Sequence, residues 1–230
     1  MDTLPAGGIK TAAAHRTYIL ALLAEQLAPL GYRHRVKDML FRGDFDGQMR
    51  EISYYSHGLR GGDISFSMQF CVGAEVAVLD ELYRHIYGAA PFGPLLACDL
   101  GLFGPKVQAD MTCRFHEITR LEHTLQDILQ RVAAFHDFCA HSGDWDSLTA
   151  QAPLLYRKQR ALPENSRGYG NIISFSLLPV LYCRYGRPAW AAEILLPRHE
   201  ADRRYGVKAN EHAPLQPLLA YLAAEYDFRL

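Results

Sequence analysis

The sequence predicts an α+β protein: an antiparallel sheet of about four strands packed against helices, with a helical C-terminal region. Three observations predict it. Residues 63–70 alternate polar and apolar strictly, which puts Ile64, Phe66, Met68 and Phe70 on one face of a strand. Two further strand-like segments precede it, separated by Gly- and Asp-rich reversals, as in a meander with one buried face. From Ile118 onward, apolar residues recur at helical spacing almost to the end. A length of 230 residues suits a single domain that buries a full core without staples. Within it, 1–116 carries a helix and the sheet, and 117–230 is mainly helical.

Each element has its own local reason. Leu20, Leu23, Leu27 and Leu30 recur at helical spacing, and Pro29 and Gly31 close that helix. Residues 32–42 read as one strand. Residues 43–47 are turn chemistry, with Asp46-Gly47 suited to positive φ, and 49–56 form the returning strand. A Gly-rich reversal at 57–62 leads into the alternating strand. Val76, Leu79, Leu82, Tyr83 and Ile86 make a helix of 75–87. Glycines and prolines make 88–108 an ordered loop with a short extended piece, and alternation returns at 109–115 through Met111, Cys113 and Phe115.

The helical half begins with an apolar stripe over 119–141, stopped by Ser142-Gly143. Asp144 is placed to cap a short helix through Leu148. Residues 156–171 are polar and read as an exposed loop. Helices at 172–185 and 188–203 flank Gly186 and Pro188, the residues that end one helix and open the next. A last helix covers 214–226.

Composition excludes several classes. Five cysteines with no CxxC pair argue against a disulfide scaffold and fit reduced thiols in a cytoplasm. Lys+Arg of 24 against Asp+Glu of 25 gives a net charge of −1, which removes the simplest case for a nucleic-acid binder. Residues 18–24 form an apolar run after Lys10 and Arg16, yet Glu25 and Gln26 interrupt it well short of a membrane span. No membrane association is expected.

The order of elements resembles that of a known group. A helix ends in Leu30-Gly31-Tyr32; then come Leu40-Phe41-Arg42, Ile52 to Ser56, Asp63 to Phe70, and a tail with Leu181 to Ala192. This pattern is similar to a bacterial family of domains of unknown function. The resemblance implies the fold and a cytoplasmic bacterial setting, and transfers no catalytic residue. Some members resemble the immunity proteins that neutralise bacterial toxins.

Motifs for chemistry are sparse. Among ten histidines, none falls in HExxH or a Cys2His2 frame. His116 and His123 stand seven apart, and His123 and Asp127 are related as i and i+4, a geometry that can hold a divalent ion. These three would serve a metal-assisted hydrolase as the alternative reading, while solvated or capping imidazoles along one long helix are the reading the spacing favours. Ser65, Ser67, Ser174 and Ser176 lack a Gly-x-Ser-x-Gly frame, and the Gly-rich 58–62 lacks a phosphate-loop Lys. No catalytic residue and no cofactor are assigned.

Tyrosine and arginine carry the remaining signal, being the residue types that anchor protein interfaces. Tyr54 and Tyr55 point to opposite faces of their strand, so Tyr32 and Tyr55 can form an outward surface flanked by Arg33, Arg35 and Arg50. A sheet face covered by the C-terminal helices explains the same residues by packing and is the reading slightly favoured. Arg157, Lys158, Arg160 and Arg167 are interleaved with Tyr156 and Tyr169. That combination also suits stacked bases, but nearby acids dilute the charge, and Arg outnumbers Lys nineteen to five across the chain. The expectation is a non-enzymatic module, immunity-like or regulatory, that binds another protein through Tyr32, Arg50, Tyr55, Tyr156, Arg157, Arg160 and Tyr169.

Overall fold

A computed structural model describes residues 10–58, 64–91, 93–104, 112–115, 121–161, 177–205 and 214–230. The fold is α+β, as expected, with an antiparallel sheet of six strands rather than about four. The chain divides into two compact units. One gathers the described residues of 1–72, 99–106 and 110–135, and the other those of 73–98 and 136–230.

The first unit opens with α1 (Ala12–Leu27), whose N-terminus is capped by Thr11, its hydroxyl accepting the Ala14 N–H at 3.1 Å. His15, Ile19, Leu23 and Leu27 recur every four residues and are buried. Fully burying each of the three aliphatic residues contributes about 1.5–3 kcal/mol. The His15 ring meets Phe66 edge-on at 5.2 Å, and its Nδ1 bonds the Ile64 carbonyl at 2.8 Å, tying helix to sheet. A 3-10 turn, Ala28–Leu30, ends α1 at Gly31, whose φ of 90° favours glycine.

The expected single strand over 32–42 is instead a tight hairpin. β1 (Arg33–Arg35) folds back on β2 (Leu40–Phe45), pairing Arg33 with Arg42 and Arg35 with Leu40. The reversal is a 3-10 turn, Val36–Asp38, completed by Met39 at φ 53°. β2 then turns through Asp46 and Gly47, both at positive φ, as two-residue hairpins require. The Asp44 carboxylate accepts the Gly47 N–H at 2.8 Å. β3 (Gln48–Gly58) pairs Gln48 with Phe45 and Ile52 with Phe41.

β4 (Phe66–Ala74) follows β3 in the sheet order and is buried along most of its length. Phe66, Met68 and Phe70 are all in the core, as their alternation predicts. β5 (Leu96–Asp99) is the extended piece expected in the long loop and comes next to β4 in sheet order. β6 (Thr112–Phe115) also pairs with β4, matching Phe66 to Phe115 and Gln69 to Thr112, a partnership that periodicity leaves open.

The second unit is mostly helical. It holds α2 (Ala77–Tyr87), the end of α3 (Leu121–Ala140), α4 (Trp145–Ala150) and α5 (Ala152–Arg160), then α6 (Leu178–Arg184), α7 (Pro188–Tyr205) and α8 (Leu215–Tyr226). Asp144 caps α4 as expected, accepting the N–H groups of Asp146 and Ser147 at 2.9 Å each. Residues 156–160, expected in a loop, form the second half of α5. Ala152, Leu155 and Gln159 recur at helical spacing on its buried side, which outweighs the polarity of the other face. The rest of that expected loop lies outside the described residues. Between α6 and α7, Gly186 takes φ 78° and the Arg187 N–H bonds the Tyr182 carbonyl at 2.9 Å, closing the hairpin. Among the described residues, no helix is long and apolar enough to cross a membrane.

Candidate functional site

Helix α5 and the α6–α7 hairpin bring together a cluster that sequence periodicity only half shows. On α5, Tyr156 and Arg160 are four residues apart and share a face; on α7, Trp190 and Glu193 are three apart and do likewise. The two pairs meet like with like. Tyr156 stacks on Trp190 with ring centroids 4.1 Å apart and planes 9° from parallel. The Arg160 guanidinium reaches the Glu193 carboxylate at 3.1 Å, and the Tyr156 hydroxyl donates to the same carboxylate at 3.0 Å.

Tyr182 supplies the floor. Its ring is fully buried and meets Trp190 edge-on at 5.6 Å and Tyr156 edge-on at 5.8 Å. The hydroxyl donates to Gln159 at 3.4 Å, and burial holds its pKa far above the usual phenol value, so it stays protonated. Tyr185, just past the end of α6, lies near-parallel to Trp190 at 5.8 Å and 19°. Tyr185 is 40% exposed, and Trp190 and Tyr156 are half-buried, so the ladder rests on the core and presents apolar surface outward. Arg157 is exposed beside it. Lys158 points the other way, with its ammonium over the Phe138 ring at 5.7 Å and its pKa lowered chiefly by burial.

The other expected contact residues separate into different environments. Tyr55 is outward and half-exposed, opposite the buried Tyr54, as strand alternation requires. Tyr32 and Arg50 do not join it. Both are buried, at 2% and 8% exposure, because Phe45 takes them both: Tyr32 lies 5.3 Å from its ring and the Arg50 guanidinium 4.6 Å over it. The outward surface expected at these two positions is therefore corrected to a packed aromatic corner. Tyr169 and Arg167 lie outside the described residues.

The expected metal ligands fare differently again. His123 is exposed on α3, and His116 lies outside the described residues. The Asp127 carboxylate is engaged by Arg131 one turn along, at 3.0 Å. Arg131 is itself buried and donates to the carbonyls of Gly101, at 3.0 Å, and Phe103, so its role is to clamp that backbone. Among the described residues, no three His, Cys, Asp or Glu side chains converge as a metal site would need. Burial pushes the Cys113 thiol up to about 12, helped by Asp127, and the Cys183 thiol up to about 11. Neither is a thiolate at neutral pH.

Sequence reading missed Trp190, Tyr185 and Glu193 as site residues. The available signal was the coincidence of two helical pairs, Tyr156 with Arg160 and Trp190 with Glu193, which becomes legible once α5 is recognised as a helix. Comparison of the chain with family models, with curated proteins and with solved structures finds no match to any of them.

Proposed function

We propose that this chain is a non-enzymatic protein-binding module of the bacterial cytoplasm, immunity-like or regulatory in kind, that holds another protein through the Tyr156–Trp190–Tyr185 face. The observation that carries this reading is the aromatic group itself: Tyr156 stacked closely on Trp190, Tyr185 near-parallel to Trp190 at 5.8 Å, both of the stacked rings meeting the buried Tyr182 edge-on, and the group left partly open to solvent. Rigid aromatic side chains offer apolar area with little entropy left to lose, and Trp, Tyr and Arg dominate the residues that carry binding energy. Arg157 and Arg160 give the face a polar rim. None of the five cysteines is joined to another in a disulfide, in keeping with a reducing compartment.

Two other readings have less support. A nucleic-acid role needs a cationic surface, but Glu193 neutralises Arg160 and Lys158 turns to Phe138. A metal-assisted hydrolase at His116, His123 and Asp127 has to displace Arg131 from the Asp127 carboxylate, and so break the ion pair of a buried guanidinium. The test is photo-crosslinking in the native host from a benzophenone amino acid placed at Arg157, with Lys37 as the control position. A single protein adduct from 157 and none from 37 is expected. Equal labelling from both positions, or none from either, contradicts the reading.

A further inference from the structure

The helical unit also holds an open cleft of about 240 Å³, independent of the aromatic face. Its walls come from four helices. From α2, Val78, Glu81, Leu82 and His85 recur at i, i+3, i+4 and i+7, a single stripe along the helix. From α6, Val180 and Arg184 are one turn apart. Trp145 of α4 and Tyr221 and Tyr226 of α8 complete it.

The chemistry of the lining is sorted by depth. Leu82 and Val180 are 8% and 1% exposed and form an apolar floor. Glu81, His85 and Arg184 are exposed and form the rim. Arg184 is held with its guanidinium 5.5 Å over the Trp145 ring and 3.2 Å from Asp146, a carboxylate 93% exposed and therefore a weak competitor. His85 meets Tyr221 edge-on at 5.8 Å, one helical turn from Glu81. The Tyr221 phenol is raised by burial first and by Tyr226 and Glu225 next, so it remains a neutral hydroxyl. The cleft thus offers a cation from α6, a carboxylate from α2, and an apolar floor with aromatic walls between them.

An anion alone meets like charge at Glu81, and an amine alone meets like charge at Arg184. A compact zwitterion with an apolar substituent satisfies both. We propose that this cleft binds a free α-amino acid with an apolar side chain, its carboxylate on Arg184, its ammonium on Glu81 and its side chain over Leu82 and Val180. Guanidinium and carboxylate are the strongest available partners for those two groups, and the volume suits one such molecule.

The test is calorimetric titration of the full chain with L-phenylalanine, with 3-phenylpropionate, which lacks the ammonium, and with 2-phenylethylamine, which lacks the carboxylate. L-Phenylalanine is expected to bind with about millimolar affinity or tighter, and each truncated probe about tenfold or more weaker. In Arg184→Gln the amino acid should fall to the affinity of the amine, and in Glu81→Gln to that of the propionate, with circular dichroism confirming the fold. If either variant fails to fold, the three probes on the unmodified chain decide the matter alone. No heat with L-phenylalanine, or equal binding of all three probes, overturns the proposal.

Discussion

Tyr156 and Trp190 lie face to face, with centroids 4.1 Å apart, and the ion pair of Arg160 with Glu193 closes the same contact one helical turn away. Aromatic pairs add about 0.5–1.5 kcal/mol beyond the area they bury, whereas an exposed ion pair contributes about 0–1 kcal/mol. The stack, not the salt bridge, therefore joins α5 to α7. Trp190→Ala is expected to destabilise the chain by about 1–3 kcal/mol, and Glu193→Gln by less than about 1 kcal/mol. Urea denaturation of the two variants checks the order, and equal losses would reverse it.

A second expectation concerns the corner around Phe45. A Cβ on Gly43 would lie 2.6 Å from the Phe45 ring and 2.7 Å from the Gly31 carbonyl. Gly43→Ala should cost about 1–3 kcal/mol through overpacking, because the ring is held by Tyr32 and Arg50 and the backbone oxygen cannot yield. Adding Phe45→Leu to Gly43→Ala is expected to recover part of that loss. Thermal melts of the single and double variants give the comparison.

The buried guanidinium of Arg131 supports a third. It holds the Gly101 and Phe103 carbonyls and pairs with Asp127. Arg131→Leu should destabilise by about 2–4 kcal/mol, with the loss of amide protection concentrated at 100–104 in hydrogen exchange. Protection changes spread evenly over the chain would argue against a local clamp.

His34 gives the pH dependence. Its ring stacks on Phe41 at 4.5 Å, bonds the Tyr54 hydroxyl at 2.8 Å, and has its pKa lowered by burial. The folded state then binds fewer protons than the unfolded one between the lowered value and 6.5. Stability from neutral His34 is complete above the unfolded pKa and falls as pH drops through the folded one. His34→Asn should flatten that slope. An NMR titration of the His34 ring at or above the unperturbed value would contradict the assignment.

Much of this fold was legible because its signals are local. The alternation of Phe66, Met68 and Phe70, the Asp46-Gly47 turn, the Asp144 cap and the Gly186/Pro188 break each need only a few residues. What escaped depends on distant partners or on unmarked turns. The β1–β2 hairpin reverses through Val36 to Met39 without glycine, asparagine or proline, and so reads as one strand. Helix α5 carries a polar outer face whose charges find Glu193 only after α7 has folded beside it. Tyr32 and Arg50 look like surface anchors until Phe45 covers them. The site was visible in residue type at Tyr156 and Arg160, while its second half, Trp190 and Glu193, came from the hairpin that sequence had already placed.

The central claim is that the Tyr156–Trp190–Tyr185 face holds another protein, and native mass spectrometry of the untagged chain from its own host tests it most directly. The expected result is a stoichiometric complex with one other protein that is lost in Tyr185→Ala and in Arg157→Glu, both of which leave the Tyr156–Trp190 stack in place. A complex that survives both substitutions, or a bare chain of unmodified mass, would contradict it.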